Sequence, residues 1–109
     1  MPIANCFVAP DCSPGSGDII KLWSNESGIA SDHMTVNIIS SSQQSGHNYL
    51  VMANLLLPSI WSKEDISTIQ TGLSRALANY FDIAIAKVHV VTNIVHSGLI
   101  VEAGREITW

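Results

Sequence analysis

Met1-Pro2-Ile3-Ala4-Asn5-Cys6-Phe7-Val8-Ala9 opens the chain. Ile3, Asn5 and Phe7 alternate with Ala4, Cys6 and Val8, which is the two-residue period of a strand, and both sets are mostly apolar. A strand buried on both faces is expected. Met1-Pro2 stands at its head, and removal of the methionine would leave a secondary amine there, a group able to act as a general base. A retained methionine would instead make the Pro2 nitrogen an amide without basicity.

Outward from this strand, the Pro, Gly and Ser cluster from Pro10 to Gly17 predicts a turn. Asp18 can then cap a short helix carrying Ile19, Ile20, Leu22 and Trp23, which ends near Gly28. Met34 to Ile39 reads as the next strand. The polar run Ser40 to Gly46 connects two halves, and the second half repeats the plan of the first. Tyr49 to Leu57 is a nearly continuous apolar run, the pattern of a central strand, and it stops at Pro58. Ser62-Lys63-Glu64-Asp65 opens a helix as a capping box would, with Asp in place of Glu or Gln. Ile66, Ile69, Leu73, Leu77 and Tyr80 form one stripe along that helix. Lys87 to Asn93 predicts another strand, and Gly98 to Trp109 a β-hairpin turning at Ala103-Gly104.

Ala4-Asn5 through Pro10 echoes Ala53-Asn54 through Pro58, and Thr35 to Ile39 echoes Lys87 to Val91. The echo indicates a duplicated βαβ unit, with the second crossover longer by about one helical turn of 3.6 residues. The expected class is α/β (α+β): residues 2–40 and 47–95 each form a βαβ unit, and residues 96–109 a hairpin, within one domain spanning 1–109. Right-handed crossovers place both helices on one face of a four-stranded sheet. The other face, with Thr35, Asn37 and Ile39 or His89, Val91 and Asn93, is left bare and weakly charged, so another subunit is expected to cover it.

Composition agrees with an oligomer. Hydrophobic residues make up 47% of the 109 positions and charged residues 13%, an apolar balance for a small chain. The formal charge is -4, and the five Lys and Arg residues are scattered, so there is no basic stripe for nucleic acid. No segment approaches the roughly 20 apolar residues of a membrane span, and the chain reads as cytoplasmic. Cys6 and Cys12 are too few for a disulfide framework and lack zinc-type spacing, so no metal is expected. Cys6 reads as a core thiol, whereas Cys12 lies in a turn-rich segment where an exposed thiol is possible.

The Pro2-Ile3-Ala4 start, the two βαβ units and the short C-terminal hairpin together resemble the tautomerase superfamily, which includes 4-oxalocrotonate tautomerase and macrophage migration inhibitory factor. The likeness spans nearly the whole chain in architecture and is specific at a few residues. It implies a homotrimer with the bare sheet faces at its centre and no cofactor. It also implies a small-molecule substrate with an enol or keto group, and Pro2 as the base that moves a proton at the carbon next to a carbonyl.

This chain departs from the pattern at the family's arginines. Asp11-Cys12-Ser13 stands where a Gly-Arg-Ser run is usual, and Val36-Asn37-Ile38 and Val88-His89-Val90 stand in Val-Arg-Val settings. No guanidinium can clamp a carboxylate from those places. The resemblance leaves Asn37, His89, Trp61 and Arg105 as substrate-binding candidates. Trp61 occupies the second-half turn, and Arg105, like Lys87, is a cation near the end of a late strand. His96 beside Ser97-Gly98 lacks a partner for a triad. Two other readings stand beside the enzyme: a tautomerase-fold trimer without catalysis, and a ferredoxin-like βαββαβ module holding small ligands between subunits. Strand order separates the latter.

Overall fold

The computed structural model describes residues 1–109. In chain order it has β1 (Ile3–Val8), α1 (Ile19–Ser27), a 3-10 turn (Ser31–His33), β2 (Thr35–Ser40), β3 (Val51–Pro58), α2 (Lys63–Phe81), a second 3-10 turn (Ile85–Lys87), β4 (Val88–Val95), β5 (Ile100–Glu102) and β6 (Arg105–Ile107). The first four strands make one sheet in the order β2-β1-β3-β4, and β5 and β6 make a separate hairpin. β1 runs parallel to β2, β3 runs parallel to β4, and the central pair β1 and β3 is antiparallel.

That order rules out the ferredoxin-like arrangement. A split βαβ places a foreign strand between the two strands of each unit, whereas here each unit keeps its strands adjacent and the two units meet edge to edge. Asn5 faces Asn54 at the centre of the β1/β3 ladder. The sequence echo is therefore a local two-fold relation about that pair.

The helices form where their caps allow. The Asp18 carboxylate accepts from the Ile20 and Lys21 amides at 3.1 and 3.3 Å, and Gly28 ends α1 with φ 70 in the left-handed region. Ser62 Oγ accepts from the Asp65 amide at 3.1 Å and starts α2. Asp65 makes no return bond to the Ser62 amide, so only half of the expected capping box forms. An aspartate side chain is one methylene shorter than the usual glutamate. α1 has 9 residues and α2 has 19, a larger difference than one turn, because the first crossover spends its chain on the loop before Asp18.

Both helices pack on one face of the sheet. Ala4, Cys6 and Val8 of β1 and Val51, Ala53, Leu55 and Leu57 of β3 are buried beneath Trp23 of α1 and Ile69, Leu73, Ala76, Leu77 and Phe81 of α2. Trp23 Nε1 donates to the Ile69 carbonyl at 3.0 Å, so the indole buries its ring without an unpaired donor. The helices touch most closely at Gly72, where an added Cβ would lie 2.9 Å from Ser27 backbone. At the rim of this contact Glu26 accepts from Arg75 Nε at 3.1 Å and from Asn79 Nδ2 at 3.3 Å.

β1 is thus buried on one side rather than two. Ile3, Asn5 and Phe7 face away from the helices, and Phe7 is 40% exposed in the single chain. Apolar alternation marks both sides alike because Ile3 and Phe7 on the open side are as apolar as the residues that the helices cover.

Candidate active site

Pro2 is held by the first parallel pair. Its carbonyl accepts from the Thr35 amide at 3.0 Å, which extends the β1/β2 ladder one step beyond Ile3, and the ring is buried. Pro2 contributes no N–H to the ladder, so a strand head is a position it can occupy. Its nitrogen bonds Met1, and Met1 therefore marks the space in front of that nitrogen.

That space is a cleft. Met1, His33 and Glu102 all border two cavities, one of about 230 Å³ and one of about 260 Å³. The first is walled by Pro58 at the end of β3, by Ile60 after it and by Ile100, Ile107 and Trp109 of the hairpin. Asp32, Met34 and Thr35 close the second. His33 is placed by the 3-10 turn between α1 and β2. Glu102 ends β5, ahead of a turn in which Ala103 and Gly104 both have positive φ, 51 and 75, the primed geometry that matches strand twist. The tail is fixed by two bonds: the Trp109 amide donates to Ser97 Oγ at 2.8 Å, and its Nε1 donates to Ser59 Oγ at 3.0 Å.

Chemically the cleft is one-sided. Its first cavity is mostly aliphatic and aromatic, its ionisable side chains are one imidazole and two carboxylates, and neither cavity is lined by Lys or Arg. It can exclude water from a small apolar molecule and offer His33 to an oxygen, but it cannot clamp a dicarboxylate.

No protein-family model matches the sequence, and no curated protein matches it. Solved structures do. A wild-type fused 4-OT solved as a symmetric trimer superposes with a TM-score of 0.75 at 13% identity, covering 97% of this chain and 94% of that one. A member of the cis-3-chloroacrylic acid dehalogenase family gives 0.67 at 12% identity, over 96% of this chain and 82% of that one. Macrophage migration inhibitory factor of Toxoplasma gondii gives 0.62 at 12% identity, over 96% and 99%.

The chain has the tautomerase-superfamily fold. On that fold the candidates from the sequence fall in different places. Asn37 lies in the open sheet face, where its Nδ2 donates to Asn5 Oδ1 at 2.8 Å. His89 lies in the same face toward the other end of the sheet, its ring centroid 4.9 Å from that of Tyr49. Trp61, just ahead of α2, is half-buried against the core. Arg105 is exposed and pairs in register with Glu102. Within one chain none of these four lines the cleft at Met1, and Arg105 approaches it only through its strand partner. Sequence reading passed over His33 and Glu102. His33 carried no local signal, because it lies beside Pro2 only through the pairing of Thr35 with Ile3. Glu102 carried none, because a hairpin's docking position is not encoded locally.

The largest cavity of the tautomerase-fold subunit, about 650 Å³, opens at the opposite end of the sheet among Val8, Pro10, Cys12, Ser41 and Tyr80. It holds no proton-transfer pair. Cys12 has its thiol pKa raised by burial and then by the Asp11 carboxylate, which favours the unreactive thiol. Cys6 is fully buried, and burial pushes its pKa up to about 12, as befits a packed core thiol.

Proposed function

We propose that this protein is a cofactor-independent tautomerase-type isomerase in which Pro2, freed of Met1, is the general base. The observation that carries this reading is the buried proline ring at the head of β1 with its nitrogen directed at the Met1 position, the shared border of two cavities. A secondary amine there is poorly solvated. Poor solvation disfavours its ammonium form while the Glu102 and Asp32 carboxylates at the same cavities favour it; the reading takes desolvation to prevail, so that a useful fraction is free base near neutral pH. It takes the proton from a carbon next to a carbonyl or from an enol oxygen and returns it at the other position. His33 hydrogen-bonds the oxygen on which charge develops.

The walls set the substrate class. With Ile60, Ile100, Ile107 and Trp109 on one side and no guanidinium or ammonium at either cavity, the site suits an aromatic or aliphatic keto or enol compound rather than a dicarboxylate. We infer further that the chain works as a homotrimer. The open face exposes Phe7, Ile39, Met52 and Val91, the hairpin exposes Leu99, Val101, Ile107 and Trp109, and a fused 4-OT of the same fold is a symmetric trimer. No helix is long and apolar enough to cross a membrane, and a cytoplasmic location belongs to the same proposal.

Ketonisation of enol-phenylpyruvate, followed by ultraviolet absorbance, tests the assignment. Pro2→Ala should lose about 10²–10⁴-fold in rate, the usual contribution of a positioned base. Equal rates for the two proteins would remove Pro2 as the base, and no activity in either would leave an inactive protein of tautomerase fold, the reading that the missing cations favour.

A further inference from the structure

The open sheet face is organised in cross-strand rows, and they are chemically unequal. Register places Thr35, Ile3, Leu56 and Asn93 in one row and Ile39, Phe7, Met52 and His89 in another. Between them lies a row of three amides and one valine: Asn37, Asn5, Asn54 and Val91. Asn5 and Asn54 sit on the two central strands, where a face awaiting burial would ordinarily carry aliphatic side chains. Among the paired strand residues of this face His89 is the only ionisable one.

From this we infer that the Asn37–Asn5–Asn54 row sets the register in which copies of this chain dock, and so fixes their number. The inference rests on the trimer reading above and deepens it. A primary amide has two donors and an acceptor with two lone pairs. The bond from Asn37 Nδ2 to Asn5 Oδ1 at 2.8 Å uses one donor and one lone pair. Asn54 is exposed. Covering this face with Leu or Phe side chains would strand the remaining groups, which is costly.

A rotation axis running along the strands keeps each row at its own height, so three copies would bring their amide rows into one ring. There each amide finds amides. A slip of one row along the strand would set the Asn side chains of one copy against Ile3 and Leu56 or Phe7 and Met52 of the next. An apolar face without this row would hold its partners as firmly but choose between such packings less well. A single buried Asn acts in the same way in coiled coils, where it selects register and oligomer number at some expense of stability.

The test compares the wild type, Asn5→Leu/Asn54→Leu and Asn54→Asp by native mass spectrometry and sedimentation velocity, with far-UV circular dichroism to confirm folding. The wild type should be one trimeric species. The double leucine variant should associate at least as tightly but split into two or more stoichiometries. Asn54→Asp, which brings three carboxylates together, should dissociate at pH 7.5 and reassemble near pH 4. A wild type that stays monomeric at 100-fold the concentration of a first measurement, on the order of millimolar, would sink the trimer reading and this inference with it. A trimeric wild type with a double leucine variant of the same single stoichiometry, or an Asn54→Asp trimer intact at pH 7.5, would overturn this inference alone.

Discussion

Gly72→Ala probes the contact that carries α1, and through it the 3-10 turn bearing His33. Two effects oppose one another. In a helix interior alanine is more favourable than glycine by about 1 kcal/mol, so an uncrowded site would gain stability. At Gly72 the new methyl would lie 2.9 Å from Ser27 Cα, Cβ and N, at the C-terminal end of α1. Those atoms belong to backbone already fixed by the Gly28 cap and by the Ser27 Oγ bond to the Trp23 carbonyl at 2.7 Å. They cannot swing aside as a long side chain would, and overpacking of this kind costs about 1–3 kcal/mol. Relieving the clash means parting the helices, which also lengthens the Trp23–Ile69 bond. The overpacking cost less the alanine gain is a net loss of up to about 2 kcal/mol, which the weakened Trp23–Ile69 bond keeps above zero, equivalent to a fall in Tm of up to roughly 16 °C for a domain of this size. Differential scanning fluorimetry of both proteins at one concentration reads it, with Ser27→Gly/Gly72→Ala recovering part of the loss. A Tm equal to or above the wild-type value would refute the close helix contact.

Further outcomes follow from the thiols and the cleft. Because folding raises the Cys6 pKa from 9.0 to about 12, the unfolded chain releases this proton first as pH rises. Its stabilising contribution is complete below pH 9 and declines by about 1.4 kcal/mol per unit through the interval up to 12. The denaturant midpoint of the wild type should therefore fall more steeply than that of Cys6→Ala between pH 9 and 10.5, and parallel curves would contradict the assignment. Cys12, half-buried, should take up a maleimide well before Cys6, and intact-mass mapping that finds Cys6 modified first would contradict the packing. His33→Ala should lower kcat about tenfold with the fold intact, whereas Glu102→Gln should shift the pH optimum; an unaltered pH–rate profile in both would remove the cleft beside Met1 as the site.

Much of the fold was legible because local signals agreed with one another. Asp18, Gly28 and Ser62 mark helix ends by their own chemistry, the stripe from Ile66 to Tyr80 marks the face that packs, and the echo of Ala4-Asn5 in Ala53-Asn54 gives the two-fold relation of the halves. Less legible was anything that depends on where separate elements meet. The closeness of Gly72 to Ser27, the turn that carries His33 to Pro2, and the docking of the hairpin with Glu102 and Trp109 each join residues distant in sequence. The apolar alternation of β1 also cannot distinguish a face covered by helices from the open one, since both carry mostly apolar side chains. Pro2 could be singled out from the sequence because its chemistry depends on its place at the head of a strand. Asn37, Trp61 and His89 rest on matches of position to a family pattern and Arg105 on its charge near the end of a late strand, and a single chain does not bring them together.

The most direct measurement is the state of the Pro2 nitrogen itself. Intact mass first reports whether Met1 is removed, and ¹⁵N-proline labelling then follows that nitrogen by NMR as pH is varied. The account predicts a mass lacking one methionine and a titration well below that of a solvated prolyl secondary amine, moving back toward it when Ile60 or Ile107 is replaced by a smaller polar residue that admits water. A retained methionine, or an imino group titrating as a fully solvated amine, would contradict it.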